Sequence, residues 1–130
     1  MQYGKPILIA NLNMSNAPQD YNNVVFVMAF LEYLPLKNWS CFSELDYQLV
    51  FKIRGNINGV QLEIKDEKKR KIIDEYIKIT DTFEKKTVSL RNRQLSNISE
   101  VCFTIFNENK YIQKGGNGKF EMFDFWITNE

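Results

Sequence analysis

Alternation of apolar and polar residues over 46–54 and 58–66 constrains this chain more than any other feature. Tyr47, Leu49, Phe51 and Ile53 alternate with Gln48, Val50, Lys52 and Arg54, and Val60, Leu62 and Ile64 alternate with Gln61, Glu63 and Lys65. Successive side chains of a strand point to opposite faces, so each segment reads as a half-buried strand. The connection 55–59, Gly-Asn-Ile-Asn-Gly, carries residues that tolerate positive φ, and the two strands are expected to pair as a hairpin. Further strands are predicted over 5–11, 24–33, 72–79, 86–90, 100–106 and 119–128, about eight in all. Turn residues separate them, including the charged run 66–71 and the glycine-rich 115–118, both read as hairpin turns. No segment has a convincing amphipathic helical period, so the pattern predicts an all-β, antiparallel sandwich or barrel.

With 130 residues the chain has the length of one domain, 1–130, and shows no repeat or linker. Lys plus Arg number 17 against 16 Asp plus Glu, and a net charge of +1 gives no field to draw in nucleic acid or an anionic membrane. No apolar run approaches the ~18 residues of a membrane span, and the N-terminus lacks the basic flank and apolar stretch of a signal peptide. Histidine is absent, which removes the commonest general base and the commonest metal ligand. Cys41 and Cys102 are too few for a disulfide scaffold or a zinc cage, and each reads as a buried free thiol packed like a small hydrophobe, with a single bridge between them as the alternative.

The alternation also nominates a surface. With Phe51, Ile53, Leu62 and Ile64 inward, the opposite sheet face presents Lys52, Arg54, Gln61 and Glu63; with Ile77 and Ile79 inward, Asp74 and Tyr76 join them. An outward aromatic beside planar polar groups suits a sugar, which offers an apolar face of C–H groups and a rim of hydroxyls. The plainer reading is the wet face of a one-sided sheet. Val50 is the one aliphatic residue that the alternation exposes. Trp39, Tyr21 and Tyr111 fall in predicted loops, where each packs over an end of the sandwich or meets a ligand; Trp126 opposes Phe125 and Ile127 and is expected at the surface, whereas Tyr47 shares the core parity. A glycosidase-like pair such as Asp74 with Glu63 is the one catalytic arrangement available, and no catalytic residue is assigned. The 115–118 loop lacks the Gly-Lys-Ser/Thr of a phosphate loop.

The order of these motifs resembles the carbohydrate-binding modules of the galactose-binding-like jelly roll, in particular the cellulosomal glucan-binding type. The resemblance runs from residue 46 to the C-terminus: DYQLVFKIRG over 46–55, VQLEIKD over 60–66, FEKKTVSL over 83–90, LSNI over 95–98 with Val101 and Phe103, and GKFEMFDFWI over 118–127. It departs in having Phe83 where tryptophan is usual. It implies a two-sheet antiparallel jelly roll of about eight strands that binds a plant or cell-surface polysaccharide without catalysis, on a solvent-facing sheet built here by Tyr76, Asp74, Gln61, Glu63, Arg54 and Lys52, with Trp39 and Trp126 as further aromatics. It further implies a monomeric module of a larger extracellular or surface-attached protein. A structural calcium would require acidic N-terminal residues to join Asp124; none is found, so no cofactor is assigned. The alternative is an interaction domain of the same fold that docks to another protein and presents a broad apolar patch.

Overall fold

The computed structural model describes residues 7–14, 25–113 and 115–129, with the segment 25–34 described by its backbone alone. Its strands are β1 (Leu8–Asn13), β2 (Val25–Lys37), β3 (Gln48–Gly55), β4 (Gly59–Asp66), β5 (Lys71–Lys78), β6 (Glu84–Ser89), β7 (Ile98–Phe106) and β8 (Asn117–Thr128). The one helical element among the described residues is the 3-10 turn Ser40–Phe42. The strands form two antiparallel four-stranded sheets, ordered β1-β8-β3-β6 and β2-β7-β4-β5. This is the predicted sandwich in jelly-roll order.

The inward parity of both sheets builds the core. Leu49, Phe51 and Ile53 of β3, Leu62 and Ile64 of β4, Val101, Phe103 and Ile105 of β7, and Phe120 and Met122 of β8 are all fully buried. Phe103 lies between the sheets, edge-on to Phe51 at 6.2 Å and to Phe120 at 6.0 Å. Each such ring contributes about 1.5–3 kcal/mol by leaving water. No helix of the described residues is long and apolar enough to cross a membrane.

Among the described strands only β4 and β5 are sequence neighbours within one sheet, and the 66–71 run turns between them as expected. The Asp66 carboxylate accepts the backbone N–H groups of Lys68 and Arg70 at 2.9 Å, and Lys69 takes positive φ. The other expected hairpins are corrected. β3 and β4 belong to different sheets, so 55–59 is a crossover. Its backbone bonds outward rather than end to end: Gly55 N–H to Thr80 O (2.8 Å), Asn56 N–H to Lys119 O (3.1 Å) and Asn58 N–H to Tyr111 O (2.7 Å). Ile57 at its centre is 4% exposed and inserts into the core. Gly55 passes so close to Lys119 and Phe120 that a Cβ there would collide with them. The 115–118 loop likewise links β7 in one sheet to β8 in the other. Val50, expected at the surface, is 1% exposed between its neighbours Trp126 and Thr87. Tyr21 lies outside the described residues. Cys41 is exposed rather than packed, and Cys102 is a buried free thiol.

Candidate functional site

The β4–β5 hairpin brings four of the nominated residues together on the outward face of the β2-β7-β4-β5 sheet. Gln61 pairs with Tyr76 and Glu63 with Asp74, while β7 sets Thr104 beside Gln61 and Cys102 beside Glu63. The Gln61 carboxamide joins two partners: its N–H donates to the Asp74 carboxylate at 2.8 Å, and its oxygen accepts the Tyr111 hydroxyl at 2.9 Å. Asp74 is exposed at the end of this chain of bonds. A Gln amide fixed at both ends holds a set orientation toward any ligand.

Tyr76 faces outward, but it is half-buried rather than free. Its ring lies over Gly59, where any Cβ would run into it. It forms an edge-to-face pair with Tyr111 at 5.5 Å and 81°, the Lys110 ammonium sits 4.6 Å from the ring centre, and its hydroxyl donates to Lys110 O at 2.6 Å. The 107–113 segment is thereby held against the hairpin end, with Tyr111 6% exposed against Phe106. Burial raises the phenol pKa of both Tyr76 and Tyr111 above the ordinary value.

Glu63, expected in the open face, is 2% exposed. Its carboxylate accepts from the Thr104 hydroxyl and pairs with the Lys71 ammonium at 2.6 Å. That hydrogen bond raises the Lys71 pKa. A carboxylate so placed fixes its neighbours and leaves Asp74 as the exposed acid of the pair.

The other four nominated residues lie elsewhere: Arg54, Lys52 and Trp126 because β3 and β8 are in the opposite sheet from β4, and Trp39 because it sits between β2 and the 3-10 turn. Arg54 pairs with Glu121 at 3.3 Å and covers the Phe83 ring at 4.2 Å, and Lys52 lies 3.7 Å from Asp124. Trp126 is 38% exposed on that same second face. Trp39 is half-buried against the core, with its backbone N–H on Leu95 O at 2.8 Å. Tyr47, as expected, packs on the core, with Phe42 at 5.0 Å. The sequence did not signal Lys71, Lys110 or Thr104 as members of the site. Thr104 had one available sign, a hydroxyl within the wholly buried run Val-Cys-Phe-Thr-Ile over 101–105. Among the described residues, no group of three or more His, Cys, Asp and Glu is arranged to hold a metal ion.

No family model and no curated protein sequence matches the chain. Solved structures do. A family 30 carbohydrate-binding module superposes over 92% of this chain and 75% of its own, with TM-score 0.59 and 15% identity. A CBM4 carbohydrate-binding module covers 94% of this chain and 82% of its own, with TM-score 0.58 and 9% identity. The fold is that of the carbohydrate-binding jelly rolls. An exo-β-agarase matches 94% of the chain with TM-score 0.66 and 11% identity, and the chain spans 22% of that enzyme's length.

Proposed function

We propose that this chain is a non-catalytic carbohydrate-binding module that grips a polysaccharide on the outward face of the β2-β7-β4-β5 sheet. The Tyr111–Gln61–Asp74 hydrogen-bond chain beside the Tyr76 ring carries the reading. It offers fixed donors and acceptors for hydroxyls with an aromatic ring beside them for C–H groups, which is the chemistry a sugar presents. Tyr76, Gln61 and Asp74 contact the ligand in this reading, while Glu63, Lys71 and Thr104 position them. The engagement of Glu63 with Lys71 and Thr104 argues against a free pair of catalytic carboxylates, and the match to one stretch of a larger agarase supports a module of a longer, extracellular glycan-acting protein.

Affinity gel electrophoresis against soluble β-glucans, xylans, mannans and pectins tests this. Retardation on at least one polysaccharide, lost in an Asp74→Ala variant that keeps the wild-type melting midpoint and in a Gln61→Ala variant assayed below its own lowered midpoint, is the expected result. Unretarded migration on the whole panel would refute it.

A further inference from the structure

The outward face of the other sheet is not flat at the end where β8 begins. Two adjoining clefts of about 380 and 230 Å³ open there and share Asn56 and Lys119 in their walls. The larger is lined by Asn11 and Asn13 of β1, Asn117 of β8 and Asn56 of the β3–β4 crossover. Strand pairing sets Asn11 opposite Lys119 and Asn13 opposite Asn117, so four exposed asparagines converge on one groove. The Asn56 side-chain oxygen accepts the Lys119 backbone N–H at 2.7 Å, which fixes that carboxamide and leaves its NH2 group as the donor end.

The charges in the smaller cleft balance. Glu121 meets Arg54 at 3.3 Å and Lys119 at 3.6 Å, and Asp81 is a second acid against these two cations. An ionic ligand finds no net charge there, and the walls of the larger cleft are set by carboxamides around Leu12 and Gly118. A carboxamide presents two donors and two acceptor lone pairs, the same mixture that vicinal hydroxyls present in return. We propose that this amide-lined groove is a second glycan-contact site, on the face of the sandwich opposite the Tyr76 network, and that it takes a neutral, hydroxyl-rich oligosaccharide. The proposal rests on the reading that the ligand is carbohydrate, but not on the placement of the first site. Its hydrogen bonds replace equivalent bonds to water and no aromatic among the described residues lines the larger cleft, so the dissociation constant falls in the range of about 1 mM.

The test is a titration of the ¹⁵N-labelled chain with neutral hexasaccharides of the cellulose, xylan, mannan and agar types, followed through backbone amide and side-chain carboxamide resonances. The expected result is saturable shifts of the Asn11, Asn56 and Asn117 carboxamides, in addition to those of Gln61 and the Thr104 amide. In the N11A/N117A double variant the groove shifts disappear while the Gln61 set keeps its affinity within about twofold; both positions are exposed, and such changes leave stability nearly untouched. Shifts at Gln61 with a silent groove for every sugar overturn this proposal and leave the first reading standing. Shifts in the groove alone support it and remove the first reading's placement. Silence at both, or groove shifts that survive the double variant, overturn it.

Discussion

Replacing Tyr76 separates what the ring does for the fold from what it does for a ligand. The phenylalanine variant deletes one hydroxyl whose bond to Lys110 O is 2.6 Å long and whose burial already raises its pKa. A neutral hydrogen bond of this kind is worth about 1 kcal/mol net. The alanine variant deletes in addition a half-buried ring, its edge contact with Tyr111 and its cation contact with Lys110. Full truncation of a buried aromatic costs about 3–5 kcal/mol, and half-burial brings the ring and hydroxyl together to about 2–3 kcal/mol. For a domain of this size each kcal/mol moves the melting midpoint by about 4 °C, so Tyr76→Phe should fall by about 4 °C and Tyr76→Ala by about 8–12 °C. The alternation alone would leave the alanine variant within a few degrees of the wild-type midpoint, since it makes Tyr76 an outward aromatic. The structure reverses that expectation, because Gly59 and the 107–113 segment both rest against the ring.

Polysaccharide affinity should partition differently. If the ring meets the sugar, Tyr76→Phe keeps affinity within about threefold, whereas Tyr76→Ala loses about 1–3 kcal/mol of stacking, or roughly ten- to hundredfold, taking base stacking on aromatic side chains as the analogue. Thermal unfolding followed by far-ultraviolet circular dichroism, paired with affinity electrophoresis below the lower midpoint, reads both quantities. An alanine variant melting within about 2 °C of wild type would refute the clamp. Equal loss of affinity in both variants would assign the contact to the hydroxyl rather than to the ring.

Glu63→Ala should destabilise by about 2–3 kcal/mol, since it strands the 2%-exposed Thr104 hydroxyl, while the half-exposed Lys71 ammonium can turn to water and spare the full cost of a broken buried pair. Glu63→Gln retains an acceptor for Thr104 and should lose less; chemical denaturation checks the order, and equal stability of Ala and Gln would contradict it. At alkaline pH the raised folded-state values of Tyr76, Tyr111 and Lys71 mean that their stabilisation is complete below the ordinary 10.0 and 10.5 and is lost as pH rises through the folded values. The melting midpoint should therefore hold to about pH 10 and fall above it, with Tyr76 and Tyr111 titrating late in phenolate absorbance. A phenolate titration with no late component and an unchanged midpoint would sink that assignment.

The inward set and most of the outward set were legible in the sequence, Val50 and Glu63 being buried instead; which sheet each strand joins was not. Period-two alternation is a local property, and it gave the inward set of Leu49, Phe51, Ile53, Leu62 and Ile64 as well as the outward set of Gln61, Asp74 and Tyr76. Sheet membership is decided by contacts remote in sequence. Lys52 and Gln61 are both outward-facing and only nine positions apart, yet they lie on opposite surfaces because Ile57 is drawn into the core and carries the chain across. Two residues with the same parity on consecutive strands belong to one site only if the strands pair, and five residues containing two glycines serve a crossover as well as a hairpin. The connection between β4 and β5 does turn back on itself, because Asp66 supplies the acceptor for two backbone N–H groups and leaves no apolar residue to be buried. The decisive local sign was therefore the isoleucine at 57. A turn residue that the core can accept pulls its connection between the sheets, and this divided the eight nominated residues into the Tyr76 network, the Arg54–Lys52–Trp126 face and an end-packed Trp39.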